Sequence, residues 1–297
     1  MTGPLPPPVS GERLAFDSAA GPLVAWVDGQ GPPLLLVHSV NAAASAAEVR
    51  PLHDHYRATR TVVSIDLPGY GASDRSDRAY TPRLMTDAVL AAADLIAHRC
   101  GPAPIDALAV SLGCEFLARA AVERPASWRS LALVSPTGFR GTGRWHAEPG
   151  RTRAVPGLLR ALRGPGDLWG GALFRALTRP GVIRYFLRRT WGAQAIDEDL
   201  WRYDLLTTRQ PGAEFAPLTF LSAGLFSADI HTVYEALSQP VWMSHGTRGD
   251  FTDYRGKTIV QGRPNWRITV LDSGALPYFE DLAGFCRTYN GFLAALP

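Results

Sequence analysis

The sequence predicts an α/β protein in which a mainly parallel sheet is wrapped by helices. Two observations carry this. Short runs recur that are apolar throughout, as strands covered on both faces require, and segments of helical periodicity alternate with them. Length agrees: 297 residues with 46% hydrophobic content suffice for one large core carrying an insertion.

Taken in order, residues 1–11 are rich in Pro and Gly and read as an irregular arm. Strands are expected at 23–27, 34–37, 61–65, 107–110, 131–134, 241–243 and 268–271. Helical periodicity marks 84–98, 112–122 and 279–296. From about Gly138 to Gln239 no strand-like run is bounded by turns, and helical patterns and aromatics dominate. The expected organisation is therefore an arm at 1–11, a core at 12–138 and 240–297, and a helical lid at 139–239. Trp169, Phe174, Tyr185, Phe186, Trp191, Trp201, Tyr203, Phe215, Phe220 and Phe226 are candidates to line an apolar pocket under that lid or to pack it onto the body.

Composition removes several function classes. A net charge of +3 without a basic block argues against nucleic-acid binding. Of the basic residues only Lys257 is a lysine. Cys100, Cys114 and Cys286 are widely spaced with no CxxC pair, which argues against a disulfide framework or a zinc site and suits a reducing cytoplasm. The first residues lack a basic region followed by an apolar run, and no stretch of about 18 uncharged apolar residues occurs, so no membrane span is expected. No metal or other cofactor is expected.

The sharpest local feature is ALAVSLGCEFLARAAVERP, where a strand runs straight into Ser111 and then a helix. A serine on so tight a turn needs small residues two positions away on each side, and Ala109 and Gly113 supply them. Upstream, PPLLLVHSVNAAASAAEVRPL places His38 and Ser39 at the end of a buried strand, and VVSIDLPGYGASDRS follows the next.

With these segments the chain resembles the α/β-hydrolase superfamily over about residues 12–295. In that superfamily a His-Gly turn follows the third strand and a DxPGxGxS segment the fourth; Asp66, Pro68, Gly69, Gly71 and Ser73 match the latter. The resemblance implies an α/β-hydrolase fold with Ser111 as nucleophile and the amides of Val40 and Leu112 as oxyanion hole. Ser39 departs from the usual glycine and either crowds that hole or adds a donor. Asn41 is a further candidate donor or a turn cap. After the seventh strand the resemblance places an acid, and PVWMSHGTRGDFTDY offers Asp250, with Asp253 as a substitute.

The superfamily's histidine belongs to a Gly-His pair after the last strand, and in LDSGALPYFED that pair is Gly274-Ala275. The seven histidines are His38, His53, His55, His98, His146, His231 and His245, so none follows His245. A serine hydroxyl is a weak nucleophile without an adjacent base. His38, in the oxyanion turn, is the first candidate for that role or else a structural residue ordering the turn. His231 would have to enter from the lid. Tyr278 and Glu115 lie near the site elements in sequence, with a solvent-facing position as the simpler reading. His245 is expected to pack. Ser39, Asn41, Tyr278, Trp191 and Trp201 are expected in the substrate pocket.

Three function classes follow. The first is ester or acyl chemistry on a small apolar metabolite through Ser111, Asp250 and a relocated base. The second is elimination, cyclisation or rearrangement without an acyl-enzyme, as lyases and cyclases of secondary metabolism carry out. The third is ligand binding without catalysis. The lid arginines Arg184, Arg188 and Arg189 would receive a substrate carboxylate or a carrier, or simply be solvated.

Overall fold

The computed structural model describes residues 3–164 and 169–296; the first two residues of the expected arm, positions 165–168 of the expected lid and residue 297 lie outside them. Eight strands form one sheet: β1 (Glu12–Phe16), β2 (Leu23–Asp28), β3 (Pro33–Val37), β4 (Thr61–Asp66), β5 (Ile105–Val110), β6 (Trp128–Val134), β7 (Val241–Gly246) and β8 (Trp266–Leu271). Their spatial order is β1-β2-β4-β3-β5-β6-β7-β8. The first two strands run antiparallel to their neighbours, and every pairing from β4 through β3 to β8 is parallel. All seven expected strands are present. β1 was not expected, because its ERLAF run is mostly exposed at the sheet edge and lacks the continuous apolar character of the central strands.

The helices are α1 (Arg50–Tyr56), α2 (Pro82–Cys100), α3 (Gly113–Glu123), α4 (Pro156–Arg163), α5 (Gly170–Leu177), α6 (Pro180–Trp191), α7 (Glu198–Thr207), α8 (Phe215–Leu221), α9 (Ile230–Ala236), α10 (Pro277–Glu280) and α11 (Leu282–Ala294). The expected helix 279–296 is split, because the Asp281 carboxylate accepts the Gly284 amide at 2.8 Å and starts α11 afresh. No helix among the described residues is long and apolar enough to cross a membrane.

Two apolar layers cover the sheet. Side chains of α2, α3 and α9 pack on one face with Leu35, Val63, Ala107 and Met243; those of α1 and α11 pack on the other with Leu36, Val62, Leu108 and Trp242. Between β6 and β7 the chain makes α4 to α9, whose starts and stops are locally encoded. Pro156 and Pro180 sit in the first turns of α4 and α6, Gly192 closes α6 in the left-handed conformation, and Asp197 caps α7 through the Leu200 amide. Residues 3–9 contain no regular element but are held: Val9 is buried with Val24, Trp26 and Ala46, and the Tyr203 hydroxyl of α7 donates to the Pro6 carbonyl at 3.1 Å.

At the opposite end of the sheet from the Ser111 turn, Asp106 is 2% exposed at the start of β5. It accepts from Arg60 at 2.7 Å, from Arg129 at 2.6 and 2.9 Å, and from the Ser130 hydroxyl at 2.6 Å. Removing the carboxylate leaves two cations with no counter-charge, one of them largely buried. Asp106→Ala should therefore lower unfolding free energy by roughly 3 kcal/mol, read as a lower urea midpoint at unchanged slope.

Candidate functional site

β5 ends at Val110, and Ser111 follows at φ +53, a left-handed conformation that non-glycine residues adopt rarely. Its amide donates to the Val134 carbonyl at 2.8 Å, which fastens the turn to β6. Strain of this kind persists only where surrounding structure holds it. The expected small neighbour is required: a Cβ on Gly113 would lie 2.4 Å from the His38 carbonyl oxygen, so α3 can start here only against a glycine. The same contact brings the turn after β3 against the serine turn. Among the described residues neither the Val40 amide nor the Leu112 amide donates to a protein acceptor, and both side chains are buried.

The turn after β3 is organised by a residue that the sequence did not single out. Glu48, 4% exposed in the 3-10 turn Ala46–Val49, accepts the Ser39 amide at 2.8 Å and the Asn41 side-chain amide at 2.6 Å. Asn41 also donates to the Ser39 hydroxyl at 3.1 Å and accepts the Ala43 amide at 2.7 Å. Both Asn41 protons are thereby used, which favours its turn-capping role over donation to a ligand. The side chain of Ser39 is drawn toward Asn41. Tyr278, expected in the pocket or at a solvent face, is 1% exposed and gives its hydroxyl to the Glu48 carbonyl at 2.8 Å.

Asp66 completes the frame, accepting from Ala46 at 2.8 Å, Ala72 at 2.9 Å and the Trp26 indole at 3.3 Å. The DxPGxGxS segment is therefore a brace between the 3-10 turn and the loop after β4.

His38 does not meet the expectation of a relocated base. It is fully buried, its Nδ1 lies 2.5 Å from the Ser39 carbonyl, and its Nε2 accepts the Leu67 amide at 3.0 Å. An acceptor Nε2 requires Nδ1 to carry the proton, so neither nitrogen is left for Ser111. Its role is to tie the turns after β3 and β4. His231 is likewise consumed, accepting from the Trp145 amide and donating to the Gly138 carbonyl, and burial lowers its pKa. His245 packs as expected, stacked on Tyr254 at 4.1 Å with Nε2 3.1 Å from Lys257 Nζ, and burial lowers its pKa too. Among the described residues no histidine is hydrogen-bonded to the Ser111 hydroxyl. Glu115 is fully buried rather than solvent-facing; it accepts from Thr137 and Ser227 and lies 3.6 Å from Arg153, although burial raises its pKa.

The positions where the resemblance puts acid and base are taken up by α6. Asp250 forms a two-pronged ion pair with Arg189, and its amide donates to the Arg189 carbonyl at 3.0 Å. Ala275 is buried. Its amide donates to the Thr190 carbonyl at 2.9 Å, and its carbonyl accepts from Ser135 at 2.8 Å. A Cβ on Gly274 would stand 2.5 Å from the carbonyl oxygens of both Thr190 and Trp191. Trp191 belongs to the same buried cluster as Val110, Val134, Leu276 and Tyr278, and its ring lies 5.4 Å from that of Phe279. Trp201 points elsewhere, with its indole on the Pro180 carbonyl and Arg184 stacked over it. Trp169, Tyr185 and Phe186, expected under a lid, are exposed on the outside. Arg184 and Arg188 are engaged with Glu198 and the Gln194 carbonyl, as Arg189 is with Asp250.

Asp204 was also missed. It lies on α7, whose buried stripe is Leu200, Tyr203, Asp204 and Thr207, and it is 5% exposed. Burial, with the nearby Glu48 and Asp197 charges, raises its pKa well above the usual carboxylate range. Among the described residues no three His, Cys, Asp or Glu side chains converge as a metal-binding group.

Because Gly274 meets backbone oxygen and not a flexible side chain, Gly274→Ala should cost roughly 1–3 kcal/mol. The midpoint of thermal unfolding should fall, and cleavage within residues 139–239 should speed up in limited proteolysis.

No protein-family model matches the chain, and no curated protein does. Solved structures do. A serine hydrolase involved in carbazole degradation superposes with a TM-score of 0.72 at 13% identity, covering 96% of this chain and 99% of that one. The 2-hydroxy-6-oxo-6-phenylhexa-2,4-dienoate hydrolase from a Rhodococcus species gives 0.70 at 16%, covering 96% and 100%. The enol-lactonase from Burkholderia xenovorans gives 0.68 at 17%, covering 95% and 100%. At such identities the likeness is one of architecture. Together with the strand order, the strained serine turn and the brace at Asp66, it establishes that this chain has the α/β-hydrolase fold.

Proposed function

We propose that this protein is an enzyme acting on the carbonyl group of a small apolar metabolite, and that it works by proton transfer without a histidine-dependent acyl-enzyme. The observation that carries this reading is the contrast between the two halves of the site. The Ser111 turn keeps its strain and the neighbouring amides of Val40 and Leu112 have no protein acceptor, so an oxyanion can be received. The positions for acid and base, by contrast, anchor the lid helix α6. Stabilising a developing enolate needs the first half and not the second. The apolar character of the substrate is inferred from the apolar side chains of Val40 and Leu112 on the two turns. A cytoplasmic, secondary-metabolic enzyme is consistent with these features.

Ester or acyl chemistry through Ser111 is the second reading. The φ of +53 at Ser111 favours it, since strain at that turn serves a nucleophile directly. It lacks a base, because His38 has no free nitrogen.

The two readings separate in one experiment. A fluorophosphonate probe should leave Ser111 unlabelled, and p-nitrophenyl esters should turn over no faster than with S111A. S111A should lower but not abolish conversion of a substrate found by metabolite screening. Efficient labelling together with Ser111-dependent ester turnover would instead establish the acyl reading. Ala275→His should not create esterase activity, because Asp250, the acid that would orient an imidazole there, is committed to Arg189.

A further inference from the structure

We infer that Asp204, carried by α7 against the 3-10 turn that holds Glu48, is the proton-transferring residue of this site and takes the α-proton of an enolisable carbonyl substrate. This rests on the reading just given and names its base.

Three observations converge. The first is a buried carboxylate without its bonds. Asp204 is 5% exposed, and its buried Oδ1 has no hydrogen-bond partner among the described residues, whereas carboxylates removed from water are normally satisfied. The second is a further unpaired group on the core side: the Tyr70 hydroxyl, in a residue 2% exposed, also lacks a partner among the described residues. Glu48 acts electrostatically on both. Two unpaired polar groups, one on α7 and one on the loop after β4, share the neighbourhood of the carboxylate that shapes the oxyanion turn. A polar ligand group would satisfy them. The third is connectivity. α7 touches the 3-10 turn that carries Glu48, and Glu48 holds the amide of Ser39, the residue before Val40.

The surroundings suit the chemistry. Glu48 faces Asp204 from the 3-10 turn, and Asp197 lies at the start of its own helix, paired with Arg50 of α1 at 3.0 Å. From the loop after β4, Arg75 is held by the Thr207 carbonyl and hydroxyl, and Tyr203 gives its hydroxyl to Pro6. On α6, Arg184 is committed to Glu198. No cation is bonded to Asp204 among the described residues, and burial beside two acids raises its proton affinity toward that of a useful base. In the step, a substrate C–H bond breaks and its proton passes to Asp204. The electron pair becomes an enolate whose oxygen accepts from the Val40 and Leu112 amides. The protonated Asp204 then returns the proton to a different carbon in a rearrangement, or to the leaving group in an elimination.

The test uses nitrobenzisoxazole, whose ring opens when a carboxylate takes its carbon-bound proton: the N–O bond breaks and the pair leaves on oxygen as a coloured cyanonitrophenolate. No nucleophile is needed, so the result is independent of whether Ser111 forms an acyl-enzyme. The wild-type protein should open the probe faster than free acetate of equal carboxylate concentration, with the rate rising as pH passes the raised pKa. Asp204→Asn should reduce kcat/KM by about 100-fold or more, while Asp199→Asn, an exposed acid on the same helix, should match wild type.

Stability supplies the second readout. With its folded pKa raised, Asp204 binds more protons in the folded than in the unfolded state above the ordinary carboxylate range, so its contribution to stability falls as pH rises through that window. Asp204→Asn should therefore melt higher than wild type at pH 8 and show no such gain near pH 4. Loss of rate with gain of alkaline stability marks a catalytic group. Unchanged rate in Asp204→Asn, no rate above acetate in the wild type, or loss of rate together with loss of stability at pH 8 would each overturn the assignment. Failure of the wider reading looks different, as labelling and ester turnover at Ser111.

Discussion

Much of this site depends on one close approach, that of the last turn of α6 to the strand ends at Gly274. The carbonyls of Thr190 and Trp191 come so near that no Cβ can stand there, and the Ala275 amide completes the contact by donating to Thr190. A helix C-terminus presents carbonyls without intrahelical donors. The loops after β7 and β8 supply donors, with the Asp250 amide taking the Arg189 carbonyl in the same way. The positions that the resemblance assigns to acid and base thus form the socket for a helix end, and Arg189 locks the socket through Asp250. An imidazole at 275 would find that acid already paired with Arg189.

The opposite side of the serine turn is built differently. There, a buried carboxylate at Glu48 gathers donors from Ser39 and Asn41, and Tyr278 closes over its backbone. The proposed role of this turn, presenting an amide to substrate, calls for rigidity, because donors that reorganise during reaction forfeit most of their electrostatic value. His38 adds to that rigidity by spanning two turns. The polar investment of the site lies on this side, and the resemblance to serine hydrolases assigns no residue to it beyond His38 and the amides.

The architecture was largely legible in the sequence because continuous apolar runs and an AxSxG turn are local signals. Seven strands and the serine turn follow from them, and the missing histidine follows from an inventory. What escaped was whatever depends on tertiary partners. β1 hid because its side chains are mostly exposed at the sheet edge, so no continuous apolar run marks it. The role of His38 could not be read, since its Nε2 donor comes from Leu67, 29 residues away. Trp169, Tyr185 and Phe186 were misplaced because aromatic content says nothing about which helix face meets the body. Asp204 was readable in principle: the spacing of Leu200, Tyr203 and Thr207 puts it on the buried stripe of α7, and an acid on such a stripe asks for an explanation. Glu48, alone among alanines, carried only a faint version of the same signal.

The arm at residues 3–9 has a consequence in time as well as in space. Pro6 waits for a hydroxyl at Tyr203 and Gly3 for an amide at Gln210. During synthesis these early residues emerge long before α7 does, and domains assemble as their partners become available. Val9 can seat early against β2, but the contacts of Gly3 and Pro6 can form only after most of the sheet strands have been made. The seating of its outer part is a late event, and it falls on the same helix that bears Asp204.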